Sequence, residues 1–160
     1  DLLLNETATL SFRRARTRIL VNNATFVQQD FELSTNIPLN GAYWQCAVAL
    51  EHAINCALRR MTPTPLKTTL VLNDLIVQRY HPGSFGITPH RDHVKYRSLI
   101  AIIVLCGHGR YFICSDREGN NALEIPAPAG HLILMRAPGL AGRKDRPFHY
   151  LKDIHLHFKI

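Results

Sequence analysis

A chain of 160 residues and 18.1 kDa is long enough to bury the core of one domain. With 46% hydrophobic and 19% charged residues it is not a disordered polymer, and no apolar run reaches the roughly 18 residues of a membrane span. The net charge of +7, with nine histidines besides, favours polyanionic or acidic partners.

The segments Thr17 to Val21 and Thr25 to Phe31 read as strands. Arg13, Arg14, Arg16 and Arg18 cluster just before and within the first, and the reading taken for them is a solvated face. From Ala42 to Arg60 the period changes. Ala47, Leu50, Ile54, Ala57 and Leu58 form an apolar stripe at helical spacing, with Glu51, Asn55 and Arg59 off it. Arg59 and Arg60 suit a helix C-terminus, and Pro63 and Pro65 prevent continuation. Trp44 is expected to be a packing anchor.

Beyond Pro65 the chain reads as short strands near 68–80, 87–91, 97–106, 110–115, 122–126, 131–136, 147–153 and 154–160. Short strands without intervening helices fit a two-sheet jelly roll. The expectation is one α+β domain over residues 1–160. Residues 1–65 would carry N-terminal strands and a supporting helix, and residues 66–160 the jelly-roll core. Cys46, Cys56, Cys106 and Cys114 form no Cys-x-x-Cys pair and sit in apolar contexts, which points to buried free thiols and an intracellular, reducing setting. No secretory signal is visible at the N-terminus and no initiator Met is present, so the chain reads as a piece of something longer.

The chemistry concentrates in Gln78-Arg-Tyr-His-Pro-Gly-Ser-Phe-Gly-Ile-Thr-Pro-His-Arg-Asp92. His90 and Asp92 stand two apart in an extended stretch, so both side chains point to one side. His149 follows far downstream in Arg-Pro-Phe-His-Tyr-Leu. Two histidines and one carboxylate on one face of an iron atom, with the opposite positions open, define the non-haem Fe(II) oxygenase site. A His-x-Asp tripeptide alone is weak evidence; its place between two strands, with a third ligand on a later one, strengthens it. His81, His93, His108 and His131 read as turn or surface residues. His155 and His157 alternate with Leu156 and Phe158, and share a strand face with Lys159.

On these residues the stretch from 72 to 158 resembles the catalytic core of the Fe(II)/2-oxoglutarate-dependent dioxygenases, with local similarity to the AlkB-type branch. Arg79-Tyr80-His81-Pro82-Gly83 is similar to that branch's entry into its metal motif. Tyr96-Arg97-Ser98-Leu99-Ile100 and Gly130-His131-Leu132-Ile133-Leu134-Met135 resemble its next strand and its glycine-led later strand. The resemblance implies His90, Asp92 and His149 as iron ligands. It also implies Tyr80 and Gln78 as co-substrate contacts, with Gln78 replacing an asparagine, and Lys159 in the place of a co-substrate-pairing arginine. A lysine supplies that charge without a bidentate fork. The branch's spaced arginines after the distal histidine are absent, and the Tyr80-to-His90 stretch is one residue longer than in that branch. The superfamily resemblance survives these departures, whereas an assignment as a DNA-repair demethylase does not.

The implied activity is hydroxylation or oxidative demethylation using O2 and 2-oxoglutarate. Arg91, Arg143 and Arg146, beside the ligands, are the candidates for substrate contact; they suit a nucleic acid or another anion, and a small molecule or protein side chain fits as well. The alternative is a non-catalytic jelly-roll module binding nucleic acid or an acidic partner. Oligomeric state is not legible in the sequence.

Overall fold

In a computed structural model, the described residues are 2–21 and 25–155. The fold is mixed α+β, mostly antiparallel sheet with few helices. A short helix α1 (Leu2–Thr7) and a long one, α2 (Ala42–Arg59), pack together on the N-terminal side. The α2 N-terminus has no capping side chain of its own. The Glu6 carboxylate fills that role, accepting the Ala42 amide, where a negative group suits the helix dipole. A Cβ at Gly41 would overlap that carboxylate, so a larger residue there would make Glu6 shift from the cap. Ile37, Tyr43 and Val77 form a buried cluster, with Leu10, Phe12, Trp44 and Leu105 packed against it. Trp44 is thus the packing anchor expected.

The strands are β1 (Arg13–Arg14), β2 (Arg18–Val21), β3 (Thr25–Gln28), β4 (Glu32–Ser34), β5 (Val77–Arg79), β6 (Ile87–His90), β7 (Leu99–Ile103), β8 (His108–Cys114), β9 (Leu123–Ile125), β10 (Leu132–Arg136) and β11 (Phe148–His155). They pair as β1-β4-β5, β2-β3, β10-β7 and β6-β11-β8-β9, all antiparallel. Among the described residues these are separate sheets, with no closed barrel. The Tyr111 hydroxyl of β8 donates to Met135 Sδ of β10 at 3.7 Å, linking the four-stranded sheet to the β10-β7 pair. A bridge from Gln29 to Ile87 and the amide of Asp30 on the Gly86 carbonyl tie the N-terminal hairpin to β6. No helix among the described residues is long and apolar enough to cross a membrane.

Three expectations need correction. The stretch 68–80 is a strand only at Val77–Arg79. Upstream, Asn55 substitutes for a neighbouring strand: its Nδ2 donates to the Leu70 carbonyl and its Oδ1 accepts the Leu70 amide, both at 2.9 Å. Glu51 accepts the Leu72 amide at 2.8 Å. These bonds satisfy the backbone without a ladder. Asn55 is therefore buried on the working face of α2, while Ala57 of the expected stripe is exposed. Thr25 to Phe31 is also not one strand. It ends at Gln28, and Glu32–Ser34 pairs elsewhere. The four cysteines are free, as expected, but none is buried and Cys106 is exposed.

Candidate metal centre

Strand β11 lies between β6 and β8, so His149 has hydrogen-bonded neighbours on both sides. It pairs with His90 on β6 and with Ile113 on β8. Directly opposite residues in an antiparallel pair project to the same face. The two imidazoles accordingly meet, with ring centroids 4.2 Å apart.

A β-bulge makes this pairing work. Leu151 pairs with Ile87 and His149 with His90, so β6 spends one residue more than β11 over the interval. The extra residue falls beside Pro89, which has no N–H to give a regular ladder. It lets Ile87 and His90, an odd number of steps apart, both match residues on one face of β11. At the head of β6, Gly86 has φ of +83°, and a Cβ there would overlap the Leu151 carbonyl. Only glycine permits both the turn and the close approach.

Asp92 lies just past β6. Its Oδ1 is 3.9 Å from His90 Nε2 and its Oδ2 is 3.5 Å from His149 Nε2. The ligand atoms of His90, Asp92 and His149 all fall within 4.8 Å of one another. His90 Nδ1 is 3.0 Å from the Thr88 carbonyl and His149 Nδ1 is 3.4 Å from the Pro147 carbonyl. A carbonyl only accepts, so each Nδ1 carries a proton and each Nε2 is the nitrogen turned toward Asp92. Backbone carbonyls orienting the far nitrogen are the usual support of a metal-binding histidine.

The electrostatics agree with that protonation state. Burial, with help from His149, pushes the His90 pKa down to about 3, so the ring is neutral. Burial raises the Asp92 carboxyl above its ordinary range, while His149 and Arg146 pull it back. Arg146 also donates from Nη1 to the Asp92 backbone carbonyl. Two imidazoles and one carboxylate in a half-buried niche make a donor set that fits a divalent transition metal. The group could hold such an ion.

Tyr80 and Tyr111 complete the surroundings. The Tyr111 ring stacks on His149 at 5.7 Å. Burial raises the pKa of both phenols, with Asp92 adding to each, so both stay protonated. Tyr80 packs on Phe31 and donates to Gln78 Oε1 at 3.2 Å. A small cavity next to Asp92 is lined by Tyr96, Ile100, Met135, Ala137 and Pro147, among others.

The remaining sequence candidates fall in different places. Arg146 reaches the site through Asp92. Arg143 is turned to Asp145 at 2.9 Å, and Arg136 meets the same carboxylate. Arg91 points away from the ligands and covers the Phe148 ring at 4.0 Å. Lys159 and His157 lie outside the described residues. His81 and His93 are exposed turn residues, His81 on Glu32 at 2.9 Å, and His108 and His131 are exposed too. The sequence reading does not single out Tyr111 or Gly86. Tyr111 could have been found from the alternation of β8, and Gly86 from its place before the metal strand.

The chain has no significant match to any protein-family model, curated protein or solved structure.

Proposed function

We propose that the protein is an Fe(II)- and 2-oxoglutarate-dependent dioxygenase that hydroxylates or oxidatively demethylates its substrate. The observation that carries this reading is the His90–Asp92–His149 triad, two imidazoles and a carboxylate on one side of a niche. Three protein ligands on one face leave positions for a chelating co-substrate and for oxygen. A jelly roll is the fold that goes with it. The strand order supports that reading, because β6, β8, β9 and β11 share one sheet while the intervening β7 and β10 share another.

An Fe(II) ion held by His90, Asp92 and His149 would couple the oxidative decarboxylation of 2-oxoglutarate by O2 to oxidation of a substrate C–H bond. The chain's own residues have defined parts in this. The Thr88 and Pro147 carbonyls hold both imidazoles in the tautomer that binds through Nε2. Arg146 fixes the backbone that carries the carboxylate. Ile100, Met135 and Ala137 line the niche with apolar surface and limit water next to Asp92. Tyr80, with its hydroxyl retained as a donor, and Gln78 are the proposed co-substrate contacts, and Lys159 the proposed partner of the far carboxylate.

The test is anaerobic loading with Fe(II), followed by succinate release from 2-oxoglutarate on admitting oxygen. Small molecules, peptides and single-stranded nucleic acids are each supplied as substrate. Succinate that needs iron and vanishes in His149→Ala supports the reading. Iron bound without succinate from any substrate class, together with salt-dependent nucleic-acid binding that survives His90→Ala, would instead favour the non-catalytic binding module.

A further inference from the structure

We infer that Arg117 and Arg91, gathered around Phe148 on the outer face of the four-stranded sheet, form a binding site for a phosphate group. Phe148 and His149 are successive residues of β11, so Phe148 projects to the face opposite the metal ligands. Its ring is covered by the Arg91 guanidinium at 4.0 Å and approached by that of Arg117 at 5.5 Å. Two cations thus share one aromatic ring. Neither makes an ion pair with a carboxylate among the described residues, in contrast to Arg14, Arg79, Arg110, Arg136 and Arg143.

Arg117 bears the clearer mark. Its Nη1 is shielded from solvent and has no hydrogen-bond acceptor among the described residues. A buried donor on a charged group without a partner is costly, so this guanidinium favours an anionic partner. The loop that carries it is well built. Asp116 spends its carboxylate on the Asn120 amide at 2.9 Å and on Asn120 Nδ2 at 2.8 Å, so the nearest acid in sequence is engaged elsewhere. The Ser115 amide closes the loop on the Asn120 carbonyl at 2.9 Å, and Gly119 brings it down over Pro89 and Tyr150. Arg117 is therefore presented toward the ring by a hydrogen-bonded turn.

Two guanidiniums offer a double positive charge and two planar forks. A single carboxylate saturates one fork, whereas a phosphate has the oxygens and the charge for both. The patch adjoins β6 and β11 but lies on the face opposite the metal ligands, so phosphate binding there requires neither iron nor co-substrate.

The experiment follows the arginine side-chain Nε–H and backbone amide NMR signals of the metal-free protein. The probes are inorganic phosphate, thymidine 5′-monophosphate, a short oligothymidylate and thymidine, all at constant ionic strength. Saturable shifts at Arg91, Arg117 and Phe148 are expected with phosphate-bearing probes and not with thymidine. The monophosphate against the oligonucleotide tells a terminal phosphate from a backbone diester. Arg117→Gln and Arg91→Gln should each weaken binding about 10-fold or more, while Arg13→Gln, the same charge change on β1, should leave it unaltered. Arg117→Lys, which keeps the charge without the fork, should fall between and serves if the glutamine variant does not fold. No saturable shift, equal binding of thymidine, or an equal loss in Arg13→Gln overturns the site. Phosphate binding without any succinate release would retain the site and count only against the oxygenase reading.

Discussion

His90 and His149 stand directly opposite each other across the β6–β11 ladder. Their meeting is a property of strand register, and Asp92 joins them from the first residues after β6. The site is thus assembled by a sheet and completed by the segment that follows β6. Different substitutions should disturb those two parts in different ways.

The ligands themselves should be separable by metal titration. His90→Ala and His149→Ala are each expected to lower Fe(II) or Co(II) affinity by more than the 10–100-fold typical of losing a supporting contact. Asp92→Asn keeps the shape and removes the anionic donor, and should also fall at least that far. Calorimetry, or the visible spectrum of bound Co(II), gives the answer. Unchanged affinity in any one variant would remove that residue from the triad.

Acid should destabilise the metal-free protein through His90. Its pKa in the fold is about 3 against an ordinary 6.5. Between those values the unfolded chain takes up a proton that the folded one refuses, so stability falls as pH drops through this window. One such group contributes a slope of at most about 1.4 kcal/mol per pH unit. Asp92 works the other way. Its carboxyl is raised above 3.8, chiefly by burial, so just above that pH the fold holds a proton the unfolded chain releases, and falling pH favours the fold. Asp92→Asn should therefore steepen the acid dependence of urea midpoints just above about pH 4. An unaltered slope would refute Asp92's part.

Gly86→Ala should cost both stability and metal. A Cβ would overlap the Leu151 carbonyl, and the residue would have to hold a φ of +83°. The expected loss is more than about 1–3 kcal/mol. Because Leu151 pairs with Ile87 at the start of the metal strand, metal affinity should fall with it. Denaturation and metal titration on the same sample would check the coupling. Full affinity in a destabilised protein would show that the strand tolerates the shift.

Asn55→Ala tests the other end of the molecule. It removes both bonds to Leu70 and leaves a buried amide and carbonyl unpaired. Each orphaned group costs about 1–3 kcal/mol, yet the metal ligands lie elsewhere. Denaturant midpoints should drop while the affinity of the still-folded protein for metal holds.

Arg146→Ala should weaken metal binding about 10-fold without large loss of stability, because Arg146 holds the Asp92 carbonyl. Arg146→Lys should recover only part of this, since it retains charge but not the planar fork. Equal affinities in the two variants and the original protein would show that Asp92 needs no such support.

The sequence exposed the metal centre better than it exposed the fold around it. His90 and Asp92 were legible because they are close in the chain, and spacing in an extended segment decides which way side chains point. His149 was legible through its late-strand context. The bulge that pairs it with His90 was not, although Pro89 is its local sign. The stretch 68–76 misled because a run with strand-forming residues says nothing of a partner, and here the partner is a helix amide, Asn55. Asn55 was set off the apolar stripe on polarity alone, and its burial follows from bonds across the fold. Arg91 shows the same limit: its place directly after His90 gives no hint that it lies over Phe148.

The bulge at Pro89 has a consequence for how this chain tolerates change. Deleting one residue between Ile87 and His90 would remove the bulge and leave two steps on each strand, with His90 still opposite His149. A one-residue insertion between His149 and Leu151 would also match β6, but it would break the register of those two residues with Ile113 and Tyr111 of β8. Length in β11, paired on both sides, is therefore the stricter condition on the metal centre, whereas β6 can lose its extra residue. Deletion and insertion scanning should find metal binding lost after single-residue length changes in β11 and retained after loss of one residue between Ile87 and His90.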